Sequence, residues 1–483
     1  MRPTLLHRLS TLAAAAALAN CATNPVTGNQ NFVMMTESQE IALGRREDGN
    51  VRKQYGVYDD PALQQYVGEI GERLAKSSHR PQLKYQFLVV DSPEINAFAL
   101  PGGYIYITRG IMAYFNSEAE LAGVLGHELG HVTARHSVQQ ISTAQAANIG
   151  VNILGIFVPQ ARGAVGSNLI NILGGALLSG YGREHELEAD RLGSEYLART
   201  AYDPQAMIKV VGVLKNQELF DAEVAKAEGR EPRAYHGLFA SHPDNDTRLQ
   251  QVVGEAKRFK QASTHTGRED FLRRVDGMIF ADSPKQGVVR HNNFYHAELG
   301  IAMRFPEKWR VRNRPQNVVA VNPGNDALLD LRSGGAAEGS PEEVLRKRLK
   351  LGADTPVRAT EVNGLRAASV DLTLRGGPTR VLCIFHEKSA YLLAGQAPTS
   401  EAFDKHREAF EAALGSFHPL TDQERALARP LRVRVITAQE GVTFAELARR
   451  SPLGRFAEGH LRVLNGLYPA GEPVAGQSLK IVE

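Results

Sequence analysis

Residues 117–131 read Ser-Glu-Ala-Glu-Leu-Ala-Gly-Val-Leu-Gly-His-Glu-Leu-Gly-His, and their end spells an HExxH pattern. His127 and His131 stand four apart, so on a helix their imidazoles share one face and can grip one zinc ion. Glu128 is turned about 100° from His127, within reach of a water at that metal. A carboxylate there can take the proton of a water attacking a peptide carbonyl and pass it to the leaving amine. Leu121, Val124, Leu125 and Val132 give the same helix a buried character. Two histidines and a glutamate within a core are costly unless something binds them.

A hydrolytic zinc takes three protein ligands and keeps its fourth position open. The third is expected from the segment Tyr181-Gly182-Arg183-Glu184-His185-Glu186-Leu187-Glu188-Ala189-Asp190-Arg191-Leu192-Gly193. Glu186 and Asp190 share one helix face with the small residues Ala189 and Gly193, and that face can approach the HExxH helix closely. Glu186 is favoured as the ligand, with Asp190 holding a histidine ring from behind. His185 is the rival, but it points about 140° away from Asp190. Glu184 and Glu188 read as a solvated face. His136 lies about 140° from His131 on a continuous helix, which suits a structural or supporting role. Position 137, where a metzincin carries its third histidine, is Ser137, so the pattern is of gluzincin type.

These residues need a scaffold, and the composition supplies one. The chain has 483 residues, 43% hydrophobic and 23% charged, which suits about three globular domains and excludes wholesale disorder. A net charge of +3 gives no reason to expect a nucleic-acid partner. Cys21 and Cys383 are the two cysteines, too few for a disulfide framework or a cysteine-based zinc site.

Residues 1–20 have the short basic start and apolar Ala/Leu run of a secretory signal. Leu18-Ala19-Asn20-Cys21 is similar to a lipobox, which would leave Cys21 lipid-anchored. Ala17-Leu18-Ala19 also fits cleavage after Ala19, which would release a soluble protein. Either route leads to the periplasm. Residues 142–180 are Gly/Ala/Ile/Leu-rich but interrupted by Pro159, Gln160 and Arg162, and read as a buried helical hairpin.

The expected fold class is multidomain. A mainly α, zincin-type catalytic domain with a small β element spans 21–278. An α+β domain with an antiparallel sheet spans 288–420, where short alternating runs dominate and Trp309 belongs to the core. A small βααβ unit spans 430–483.

Several motifs in order resemble metallopeptidase family 48. They are the run from Ile95-Asn96-Ala97-Phe98 to Thr108-Arg109-Gly110, the HExxH segment, Glu186-Leu187-Glu188-Ala189-Asp190, and Ser241-His242-Pro243-Asp244-Asn245-Asp246-Thr247-Arg248. The start Cys21-Ala22-Thr23-Asn24-Pro25-Val26-Thr27-Gly28 is similar to the family's exported lipoprotein branch. The resemblance implies one Zn(2+) held by His127, His131 and Glu186, with Glu128 as general base and acid and Asp190 in support. It places His242 and Arg248 near the zinc, where Arg248 can stabilise the oxyanion. His242 can do the same or occupy the fourth zinc position. Tyr104-Ile105-Tyr106-Ile107-Thr108 is a β-rich run that Gly102-Gly103 lets start with free backbone geometry, and Gly103, Tyr104, Ile105 and Tyr106 are its candidate substrate-binding residues. As an edge strand it could pair with an extended substrate through main-chain hydrogen bonds; as a core strand it would have no such role. The resemblance tips this towards substrate. Gly441-Val442-Thr443-Phe444, Leu464-Asn465-Gly466-Leu467 and Gly476-Gln477-Ser478-Leu479-Lys480-Ile481 resemble LysM, with Val442 where that module has an acidic residue.

The leading expectation is therefore a zinc endopeptidase of the bacterial envelope, lipid-anchored at the outer membrane and cleaving misfolded or misassembled envelope proteins. Its expected partners include outer-membrane assembly machinery, and peptidoglycan through the LysM-like unit. A periplasmic chaperone or assembly factor with a latent metal site is the alternative, and a peptidoglycan-associated hydrolase is a third.

Overall fold

The computed structural model describes residues 21–145, 181–232, 254 and 264–483. The signal at 1–20, most of the hairpin expected at 142–180, and His242 and Arg248 with their motif lie outside the described residues. No helix among the described residues is long and apolar enough to cross a membrane.

The chain divides into two compact units. One comprises Met1–Arg52, Val57–Met278 and Arg432–Glu483, and the other Lys53–Gly56 and Ile279–Leu431. The first opens with a two-stranded antiparallel pair, β1 (Cys21–Thr23) and β2 (Gln30–Phe32), followed by the helices α1 (Glu37–Tyr55) and α2 (Pro61–Lys76). Asp60 caps α2 by accepting from the Leu63 N–H at 2.9 Å, and Pro61 supplies a preset φ at the first helical position.

A three-stranded sheet follows, built from β3 (Gln86–Val90), β4 (Ala97–Leu100) and β5 (Tyr104–Thr108) in the order β3-β5-β4. β5 runs parallel to β3 and antiparallel to β4. The edge position entertained for Gly103–Tyr106 is thus corrected. Gly102 and Gly103, at φ +80° and +97°, turn the chain sharply so that Leu100 pairs with Tyr104. That turn folds β4 back onto β5, so β5 is paired on both sides and all five of its residues are buried. The outer edge of β3 is sealed by Gln64, whose amide bonds both the N–H and the C=O of Val89 at 3.0 and 2.8 Å. β4 is the edge that no strand flanks on its far side among the described residues.

A short helix α3 (Arg109–Met112) leads to α4 (Glu118–Thr133), the HExxH helix, which is buried along its whole length. Ser117 caps it, accepting from the Glu120 N–H at 3.3 Å. Glu120 reaches back one residue further than a capping box requires, to the Asn116 N–H at 2.8 Å. Helices α5 (Arg183–Arg199) and α6 (Ala206–Glu228) pack on α4, and α7 (Arg268–Val275) follows.

In the second unit the principal strands are β6 (Val288–Arg290), β7 (Asn293–His296), β8 (Ile301–Arg304), β9 (Arg310–Arg314), β10 (Asn317–Val321), β11 (Leu328–Ala336), β12 (Arg358–Val362), β13 (Leu365–Leu374), β14 (Gly377–His386), β15 (Ser389–Gln396) and β16 (His418–Pro419). They form an antiparallel seven-stranded sheet, β9-β10-β11-β15-β14-β13-β12, and a four-stranded one, β16-β8-β7-β6. Helix α8 (Pro341–Leu349) covers one face of the larger sheet over Cys383, whose thiol burial pushes up to about 12. Helix α9 (Ser400–Gly415) covers the other over Trp309, which is buried edge-to-face against Phe410 at 6.1 Å.

The C-terminal residues fold as β17 (Leu431–Thr437), α10 (Phe444–Arg449), α11 (Ala457–Leu464) and β18 (Ser478–Val482), with β17 and β18 antiparallel. This is the βααβ order expected of 430–483. Arg432–Glu483 belongs to the same compact unit as the HExxH helix.

Candidate metal centre

Two helices build the site, and glycine lets them meet. A Cβ added at Gly126 would lie 3.3 Å from Gly193 Cα, and one at Gly130 would lie 3.2 Å from Ala189 Cα. Any larger residue would hold α4 and α5 apart, so this small-residue seam brings Glu186 across to the two histidines. His127, His131 and Glu186 are all buried, and their ligand atoms lie within 4.8 Å of one another.

Nε2 of His127 and Nε2 of His131 are 3.1 Å apart. Glu186 Oε1 is 3.4 Å from His131 Nε2, and its Oε2 is 3.6 Å from His127 Nε2. A tetrahedral zinc with bonds of about 2.0–2.1 Å needs neighbouring ligand atoms roughly 3.4 Å apart, so the donor set and its spacing fit zinc. Burial drives the pKa of His131 well below the usual histidine value, which favours the neutral imidazole that a metal requires.

The far side of each ring is also held. His127 Nδ1 lies 2.8 Å from Asp190 Oδ1, the supporting contact expected of Asp190. His131 Nδ1 lies 2.9 Å from His136 Nδ1, and His136 Nε2 lies 3.1 Å from Glu188 Oε2. Glu188 is therefore not the solvated side chain the sequence suggested. Its carboxyl is held below the usual range, first by the His136 hydrogen bond. Tyr181 stacks on His131 at 3.9 Å between ring centres, and its hydroxyl meets Ser137 Oγ at 2.6 Å. His185 stacks on His136 at 4.2 Å rather than joining the ligand group, and burial lowers its pKa to about 4. Glu128 is fully buried, next to His127 on α4.

Sequence reasoning left Tyr181 without a role and set Glu188 aside. Spacing gave no signal for Glu188, which stands about 160° round the helix from Glu186. Tyr104, Ile105 and Tyr106 lie inside the sheet and Gly103 in the turn before it, and none of them belongs to the metal-ligating group.

Residues 61–256 match the family model described as Peptidase family M48, a span that holds His127, Glu128, His131, Glu186 and Asp190. A Yersinia pestis protein named "Beta-barrel assembly-enhancing protease" is 30% identical over 329 residues, which is 64% of this chain and 65% of that protein. Its Escherichia coli K12 namesake is 27% identical over 351 residues, 68% of this chain and 69% of the relative. An Arabidopsis thaliana "Mitochondrial metalloendopeptidase OMA1" is 35% identical over 154 residues, 32% of this chain and 30% of the relative. The matched stretch thus spans about two thirds of the length of the two bacterial relatives.

Proposed function

Since the chain belongs to peptidase family M48, we propose that it is a zinc endopeptidase that uses Glu128 as general base and acid. The observation that carries this reading is the convergence of His127, His131 and Glu186 on one buried point beside Glu128. Zinc bound there supplies Lewis acidity, polarising the scissile carbonyl and acidifying the attacking water.

The chain's own residues do the rest. Glu128 takes the water's proton and returns it to the leaving nitrogen, a transfer that its buried setting suits by keeping bulk water away. Asp190 accepts from His127 Nδ1–H and fixes that ring with Nε2 facing the metal point. His136 does the same for His131, with Glu188 behind it. β4, the sheet edge packed beside α4, offers main-chain groups to an extended peptide. This replaces Gly103–Tyr106 as the substrate strand and keeps the low side-chain selectivity that main-chain pairing brings. His242 and Arg248 remain proposed as oxyanion-stabilising groups on the strength of the family motif.

The relatives named for enhancing β-barrel assembly support envelope proteins, stalled or misassembled β-barrel chains among them, as substrates, and support outer-membrane assembly machinery as a partner. The signal-like start of residues 1–20 supports the periplasm as compartment, and the lipobox-like Leu18-Ala19-Asn20-Cys21 supports Cys21 as lipid anchor at the outer membrane. The LysM-like order of β17, α10, α11 and β18 leaves peptidoglycan as a further partner to test with purified sacculi.

The experiment is cleavage of unfolded casein by the purified chain, before and after a zinc chelator. Expected is cleavage that chelation stops and one equivalent of zinc restores. Chelator-resistant cleavage, or none by the zinc-loaded chain, contradicts the proposal.

A further inference from the structure

The C-terminal unit bears on the HExxH helix through one residue in particular. Lys480 sits mid-strand in β18 with no exposure to solvent. Its ammonium donates to the main-chain carbonyls of Ala113 at 2.6 Å and Phe115 at 2.5 Å. Those carbonyls belong to the short connection between α3 and α4, the link through which the sheet passes into the HExxH helix. Asn116, in the same connection, donates to Leu464 O at 3.4 Å. Arg268 ties both sides together, bonding Asn116 O at 2.9 Å and Ser478 O at 2.8 Å.

A lysine buried this completely is costly unless its charge is answered. Two carbonyl dipoles answer it in part, and the buried Glu120 carboxylate in the first turn of α4 answers it electrostatically. Burial acts on the two groups in opposite directions, lowering the pKa of Lys480 and raising that of Glu120, and each charge counters that effect on the other. A lysine placed only to decorate a strand would point into solvent. This one spans the junction between the C-terminal unit and the start of the zinc helix.

We propose that Arg432–Glu483 is a clamp on the active-site helix and that Lys480 is its positioning residue. The clamp holds the α3–α4 connection and so sets where α4, with Glu128, stands relative to the β4 edge. The metal ligands are fixed separately, by the glycine-lined seam between α4 and α5. Loss of Lys480 therefore moves the peptide-bearing edge against the metal point without dismantling that point. This inference rests on the endopeptidase reading above for its kinetic consequence and on geometry alone for the clamp.

The test uses the full zinc-loaded chain and Lys480→Met, which keeps the side chain's shape and removes its donors. Zinc stoichiometry is expected to stay at one per chain. The kcat for an unfolded protein substrate is expected to fall about tenfold or more with KM changing less, and amides of residues 113–121 to exchange faster with deuterium. Adding Glu120→Gln removes the charge that Lys480 balanced while keeping an amide oxygen for the Asn116 N–H, and is expected to restore part of kcat, a rescue that mere loss of packing would not allow. Should Lys480→Met fail to fold, Arg268→Gln breaks the Ser478–Asn116 bridge without stranding a buried charge, and the same faster exchange is expected. Wild-type kcat in zinc-loaded Lys480→Met, or unchanged exchange across 113–121 in whichever variant folds, overturns the clamp. Failure of the unmodified chain to cleave anything instead counts against the endopeptidase reading, and the exchange measurement still decides the clamp.

Discussion

His136 presents its Nδ1 to Nδ1 of His131 at 2.9 Å, on the side of the His131 ring opposite the metal point. With Nε2 of His131 given to zinc, its Nδ1 must carry the proton and donate to His136. His136 is then left with a proton on Nε2, which it donates to Glu188 at 3.1 Å. Each ligand histidine thus has an acidic anchor: Asp190 directly for His127, and Glu188 through a second imidazole for His131.

The two anchors differ in directness, so their removal should differ in effect. Asp190→Ala is expected to weaken zinc binding about 10–100-fold, the usual consequence of losing such a partner. Glu188→Ala should weaken it by less, because His136 can still accept from His131. Competition with a chromogenic chelator measures both. Equal zinc affinity in Asp190→Ala and the unmodified chain would refute the anchoring role.

The seam between the helices makes a separate prediction. Gly130→Ala places a methyl 3.2 Å from Ala189 Cα and Leu192 Cβ, closer than packed atoms normally sit. It should destabilise the fold by roughly 1–3 kcal/mol and weaken zinc binding together, since overpacking here separates α4 from α5. Gly68→Ala, mid-helix in α2 with nothing within 4 Å of the added carbon, is the control and should lower neither in denaturant titration and chelator competition.

Acid should loosen the apo site for a reason that can be traced. Burial lowers the folded pKa of His185 from 6.5 to about 4 and that of His131 well below 6.5. The unfolded chain takes up protons below about pH 6.5 that the folded chain still refuses. Stability should therefore fall as pH drops from about 6.5 towards 4. His185→Gln should flatten that decline in zinc-free protein followed by thermal melting, leaving the remainder to His131. An unchanged slope in His185→Gln would show that His185 is not the group responsible.

Much of the site was legible because its chemistry is local. His127 and His131 share a helix face by spacing alone, and Glu186 and Asp190 repeat that spacing next to the small residues that let the helices touch. What escaped depends on contacts distant in sequence. Whether Tyr104–Thr108 is an edge or a centre strand turns on Ala97–Leu100 folding back and on β3 arriving from the other side, and a β-rich run looks alike in either place. Glu188 reads as solvated until His136 is brought against it from 52 residues away. Lys480 reads as an ordinary strand lysine until residues 113 and 115 close over it. In the second unit α8 and α9 start directly after Ser340 and Thr399, whose side chains cap them, and such caps are local signals.

The central claim is that Glu128 moves the proton at a zinc held by His127, His131 and Glu186. Glu128→Gln keeps the side chain's volume and removes its basicity, so the decisive measurement is zinc content and casein cleavage of that variant beside the unmodified chain. The expected result is one zinc per chain in both, with cleavage lost about 100-fold or more in Glu128→Gln. Cleavage by the zinc-loaded variant at the unmodified rate would contradict it.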